Sequence, residues 1–140
     1  MTPSKKKPRP PERDYSHRSL LDKLGVKPNQ RILILEIQDA AFLNEIKPYA
    51  PIFAETKPNA DFDLVFLAAE SKGDLKQFPR LRKFIKTNGA IWAVYPKGKQ
   101  HIREIEVIEA GKSAALTDNK VCSFSVTHTA LRFVIPIALR

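Results

Sequence analysis

Three stretches of the chain place reactive side chains directly after apolar runs. Glu36, Gln38 and Asp39 follow Arg31-Ile-Leu-Ile-Leu35, Glu70 and Ser71 follow Phe62-Asp-Leu-Val-Phe-Leu-Ala-Ala69, and Lys97 follows Ala90-Ile-Trp-Ala-Val-Tyr95 and Pro96. Ligands of open α/β sheets bind beyond the carboxyl ends of the strands, where the strand order reverses, so these six residues are the crevice candidates. Glu36 and Asp39 are close enough in sequence to act as an acid and base pair, although Asp39 also has the place of a helix cap. Lys97, in the loop Lys97-Gly-Lys99, suits an anion contact or plain solvation. The elbow Glu36-Ile-Gln-Asp-Ala-Ala41 has no glycine where a nucleotide-binding loop would carry several. Side chains there are expected to keep a cofactor from lying against the backbone, so no cofactor is expected, with S-adenosylmethionine retained as the alternative.

Other reactive residues carry less. Cys122 is the only cysteine, lies in an apolar alternation and reads as a buried inert thiol. His17, His101 and His128 lack metal-ligand spacing, and no metal is expected. Basic residues are more distinctive. Lys72, Lys76, Arg80 and Lys83 fall four, four and three residues apart, one stripe opposite the apolar positions of an expected helix, with Lys86 beside it. Together with a basic N-terminal arm, they are the anion-binding candidates for nucleic acid or another polyanion, held by charge without sequence preference. A solvated outer helix face is the plain alternative.

The elements that must position these residues follow from periodicity. The 140 residues carry a net charge of +9 and are 43% apolar, enough for one domain with a core that needs neither disulfide nor metal. Residues 1–15 read as a disordered, proline-rich basic arm, and 16–140 as a single domain. Ser19 to Leu24 predicts a short helix, Arg31 to Ile37 a doubly covered strand, Asp39 to Ile46 a helix, and Pro51 to Thr56 a peripheral strand. Phe62 to Ala69 is a second central strand, leading into the capping box Ser71-Lys-Gly-Asp74 and a helix that Asn88-Gly89 should stop. Ala90 to Tyr95 is a third buried strand, a helix runs from Ile102 to about Leu116, and Lys120 to Val126 with Leu131 to Leu139 forms an antiparallel hairpin. The fold expected is a three-layer Rossmann-like α/β fold, a mostly parallel sheet with an antiparallel C-terminal hairpin edge. No apolar run is long enough to span a membrane, no signal-like apolar core follows the charged N-terminus, and the single cysteine fits a reducing compartment, so a cytoplasmic protein is expected.

Four blocks in order resemble one family: Leu21-Asp-Lys-Leu-Gly-Val-Lys-Pro28 with Arg31-Ile-Leu-Ile-Leu35, Gly89-Ala-Ile-Trp-Ala-Val-Tyr-Pro-Lys97, Asp118-Asn-Lys-Val-Cys122, and Leu131-Arg132. The chain is similar there to a bacterial family of small Rossmann-like proteins, described as a domain of unknown function. The resemblance implies a truncated methyltransferase-type domain and carries over no activity or ligand. The family's hairpin reads like Val-Asp-Glu-Thr-Trp-Ser-Gly-Leu, whereas this one is Phe124-Ser-Val-Thr-His-Thr-Ala-Leu131, so the acidic pair and the indole are replaced and His128 stands in the turn. Ala115 stands where the family has glycine after the last helix.

The residues favour a non-catalytic domain that binds an acidic partner by charge. The alternative is an S-adenosylmethionine-dependent methyltransferase-like enzyme with a degenerate cofactor loop. Oligomeric state is not legible.

Overall fold

A computed structural model describes residues 19–49, 52–55 and 61–140. The basic arm expected over 1–15 lies outside the described residues, as do the ends of the expected strand 51–56.

Six strands form one sheet in the order β2-β1-β3-β4-β6-β5. β1 (Ile32–Leu35) runs parallel to β2 (Ile52–Phe53) on one side and to β3 (Phe62–Ala68) on the other, and β4 (Ile85–Pro96) is parallel to β3. β6 (His128–Val134) is antiparallel to β4, and β5 (Thr117–Ser123) pairs with β6 to form the outer edge. The sheet is thus mostly parallel with a C-terminal antiparallel hairpin, the arrangement expected.

Both faces are covered, which is why the central strands read as unbroken apolar runs. Alternate residues of β3 and β4, Leu64, Phe66, Trp92 and Val94, pack under α1 (Leu20–Lys23) and α2 (Ala40–Ile46). Val65, Leu67, Ile91 and Ala93 point the other way, to α3 (Phe78–Arg82) and α4 (Glu104–Ser113). Trp92 is 1% exposed, and its indole N–H donates to the Leu24 carbonyl at 3.0 Å, so burying the ring leaves no orphaned donor. The caps at Asp39 and at Ser71 with Asp74 are as the sequence predicts, and Ser19 adds another. Ser19 accepts from the Asp22 N–H, Asp39 from the Phe42 N–H, and Asp74 from the Ser71 N–H.

Four local expectations are corrected. The strand expected over 31–37 ends at Leu35 because Glu36 turns into the left-handed region at φ +62°. The helix expected after Ser71 divides into a 3-10 segment, Lys72–Gln77, and α3, with Pro79 in the first turn of the second piece. Asn88-Gly89 does not stop a helix. It lies inside β4, where the register with β3 shifts, and a Cβ on Gly89 would stand 2.8 Å from the Phe62 carbonyl oxygen, so only glycine lets the backbones pass. The last strand ends at Val134 instead of Leu139, since Pro136 cannot donate to the ladder and a 3-10 turn, Ile137–Leu139, follows.

Candidate functional site

The strand order reverses at β1, which is followed by β2 on one side and β3 on the other. A cavity of about 410 Å³ opens beyond the carboxyl ends of these strands. Its floor is the elbow 36–39 and the ends of β3 and β4 at Ala68 and Val94, and its far wall is the β5–β6 turn with Phe124, Thr127 and His128. Four of the six crevice candidates, Glu36, Gln38, Asp39 and Glu70, line it. The glycine-free elbow borders this space. Glu36 itself supplies the left-handed turn that glycine usually makes, and the side chains leave the space open.

Ser71 and Lys97 do not line this cavity. Ser71 caps the 3-10 segment. Lys97 lies in a neighbouring depression with Tyr95 and Arg103, and its ammonium donates to Ser123 Oγ at 2.9 Å while its backbone N–H donates to the Thr127 carbonyl. It therefore fastens the β4 loop to the hairpin. In the same depression burial, reinforced by Glu104, pushes the Tyr95 phenol well above its ordinary range, and the hydroxyl donates to Glu104 Oε1 at 2.6 Å.

Glu70 is held closely. Its backbone N–H donates to Asp74 Oδ2 at 2.9 Å, and its carbonyl is 2.9 Å from His101 Nε2. Its carboxylate reaches His128 Nε2 at 2.7 Å, and His128 Nδ1 is in turn 2.7 Å from Thr127 Oγ1. Neither His128 nor Thr127 was among the crevice candidates. The available signal was topological, since a hairpin antiparallel to β4 must turn at the same sheet edge as the crevice.

The cavity's charged lining is one-sided. Glu36, Asp39 and Glu70 contribute carboxylates, and no lysine or arginine lines it, although the chain carries +9. Asp39 also occupies the Phe42 N–H at the start of α2, a donor that a phosphate would otherwise use.

The basic stripe is not a single helix face. Lys72 and Lys76 are on the 3-10 segment, Arg80 on α3, Lys83 at its end and Lys86 in β4. Lys72 pairs with Glu106 at 2.7 Å, Lys86 with Asp63 at 3.0 Å, and Arg80 donates to Gln77 at 2.6 Å. Burial raises the Cys122 thiol, with Lys120 and Lys23 pulling the other way. Among the described residues no cluster of His, Cys, Asp or Glu is placed to hold a metal ion. None of their helices is long and apolar enough to cross a membrane.

Several solved S-adenosylmethionine-dependent methyltransferases share this architecture. A TehB-like enzyme of Corynebacterium glutamicum superposes with TM-score 0.56 over 83% of this chain and 85% of its own, at 12% identity. This is a methyltransferase-type Rossmann-like fold, reduced in size. An Aquifex aeolicus S-adenosylmethionine-dependent methyltransferase superposes with TM-score 0.57 over 83% and 87% of the two chains at 12% identity. The 1,6-didemethyltoxoflavin N1-methyltransferase of Burkholderia thailandensis, solved with 1,6-didemethyltoxoflavin and S-adenosylhomocysteine, gives 0.53 over 81% and 73% at 10% identity. At such identities the likeness is one of fold. No protein-family model and no curated protein sequence matches the chain.

Proposed function

We propose that the crevice binds S-adenosylmethionine and that the chain is a methyltransferase-type enzyme whose cofactor elbow uses Glu36 in place of glycine. The observation that carries this reading is the sign of the lining: three carboxylates and no lysine or arginine, in a strongly basic protein, at the topological switch point. Such a lining attracts a cation and repels phosphates. It therefore opposes a dinucleotide or nucleic acid in this cavity and suits a ligand with a sulfonium, an ammonium and ribose hydroxyls.

The residues fit that ligand in three respects. The volume, about 410 Å³, lies in the ordinary range of small-molecule sites. Ile37, Val94 and Phe124 supply apolar surface for a purine ring. Glu36 and Asp39 supply acceptors for hydroxyl or ammonium donors beside it. When bound, S-adenosylmethionine supplies a methyl group on positively charged sulfur. The chain's own part is to orient it: Glu36 and Asp39 hold the polar end against the elbow, and the hairpin turn shields the cavity from one side.

Calorimetry of the full chain with S-adenosylmethionine and S-adenosylhomocysteine tests this. Saturable binding of both is expected, with a matching rise in melting temperature. No heat and no thermal shift at millimolar ligand would remove the reading.

A further inference from the structure

Residues of β6 alternate between the two faces of the sheet, which puts Arg132 on the side of Ala130 and Val134, between Trp92 of β4 and Lys120 of β5. The side chain is only partly exposed, and its Nε is buried without a hydrogen-bond partner. An unmet donor on a charged group is costly to the fold. The ion pairs among the described residues lie elsewhere, at Lys72, Lys86, Arg103 and His128. The neighbours of Arg132 carry its own sign. Burial, and after it the repulsion of Arg140, lowers the Arg132 guanidinium from its ordinary value. Arg140 is held by its Nε, which donates to the Ile135 carbonyl at 2.8 Å. Lys120 stands opposite Arg132 on β5, and its ammonium donates to the carbonyl of Lys23, the last residue of α1, at 2.9 Å. Lys23, Lys120, Arg132 and Arg140 thus gather from parts of the chain far apart in sequence.

We propose that these four cations dock the phosphate backbone of a nucleic acid, with Arg132 as the central anchor. Lys120 and Arg140 are exposed, and neither cavity described above includes Arg132, so the surface is open. A lone small anion gains little on an open surface, where water screens it, whereas a polyanion meets all four cations at once and sheds its counterions. The planar guanidinium fork matches phosphate oxygens, and its desolvated side strengthens its pull on them. A phosphate between Arg132 and Arg140 replaces their repulsion by attraction to a common charge. The sequence ahead of α1 is basic as well, with Lys5, Lys6, Lys7, Arg9 and Arg13 against Glu12, which suits a partner charged at every residue. Phosphate contacts carry no base readout, so binding is indifferent to sequence. Arg132 is four residues along β6 from His128, roughly 13 Å, so the dock is separate from the carboxylate-lined crevice and does not rest on the cofactor reading.

The test is fluorescence anisotropy of the full chain with a labelled, mixed-sequence single strand of about 20 nucleotides, at about 50 and 200 mM salt. Saturable binding that falls steeply with salt is expected. Because the basic arm also attracts a polyanion, variants assign the dock. Arg132→Met should weaken binding about tenfold and lower the salt slope by about one. Arg140→Gln, at an exposed position, should weaken it about threefold and reads the same surface should Arg132→Met fail to fold. Lys112→Gln removes an equal charge from α4, on the opposite face of the sheet, and should change affinity less than about twofold. Without nucleic acid, Arg132→Met should melt about 2–4 °C higher than the parent, since it removes an unmet buried donor and a repulsion. Equal losses in Arg132→Met, Arg140→Gln and Lys112→Gln overturn the proposal, as does a lower melting point of Arg132→Met, which would mean that the fold itself meets this charge. No binding at the lower salt overturns it, and so does a polyglutamate of the same length bound as tightly as the oligonucleotide, which would make the surface one for an acidic protein.

Discussion

Replacing Glu36 by glycine should make the protein more stable and a poorer binder of S-adenosylmethionine. Glu36 sits at φ +62°, directly after β1 and on the cavity floor. A side chain in the left-handed region costs about 1–2 kcal/mol relative to glycine, since Cβ crowds the following carbonyl. Glycine returns roughly 0.4–1 kcal/mol of that by loosening the unfolded chain. The net gain is about 0.5–1 kcal/mol, or roughly 2–5 °C in melting temperature for a domain of this size. The lost carboxylate weakens attraction for a cation in an open crevice by up to about 1 kcal/mol, roughly fivefold in Kd. Urea unfolding and calorimetry read the two effects separately, and Glu36→Gln separates them by sequence. Glutamine keeps the strained backbone but not the charge, so it should lose the affinity without gaining the stability. A Glu36→Gly protein no more stable than the parent would refute the strain argument. A Glu36→Gln protein with unaltered affinity would refute the electrostatic one.

Further outcomes follow from the packing. Ala115, at φ +62° after α4, is also left-handed, and Ala115→Gly should raise stability by about 0.5–1 kcal/mol in urea unfolding. Gly111→Ala should do the reverse: its Cβ would overlap the buried Phe133 ring, and an overpacking cost of about 1–3 kcal/mol outweighs the helix-propensity gain of about 1 kcal/mol. The hydrogen bond from Lys72, helped by the Arg103 backbone N–H, holds Glu106 at about 2 against an ordinary 4.5. A depressed carboxylate stabilises the fold above its unfolded value and ceases to as pH falls through the folded one, so Glu106→Gln should flatten the loss of stability between about pH 4.5 and 2 in acid titrations followed by circular dichroism. Cys122, its thiol raised by burial, should react with a thiol reagent at neutral pH more slowly than a free cysteine, and unfolding should remove the difference.

The parts of the fold that rest on local chemistry were legible in the sequence. Central strands announced themselves because β3 and β4 bury both faces, and Asp39 and Ser71 with Asp74 marked helix starts by hydrogen bonds that reach only three residues. Between Leu75 and Gly89 the same reasoning misled. Apolar residues three and four apart served a 3-10 turn, a short α-helix and the start of a strand in succession, and Gly89 was needed for close backbone passage. Four crevice residues were found because they follow strand ends. Lys97 follows one as well, but its loop turns away toward Tyr95 and Arg103. His128 escaped because its partner Glu70 is 58 residues away, a pairing that no local pattern encodes.

The hairpin that walls the cavity also sets when the cavity can exist. β6, though later in the chain than β5, lies next to β4, and only its pairing from Ala90–Val134 to Pro96–His128 carries His128 to Glu70. In chain order the strands that make the floor come before this wall. Glu36, Asp39 and Glu70 then stand on an incomplete surface, and binding competence should arrive late and abruptly, as the C-terminal strand zips into place.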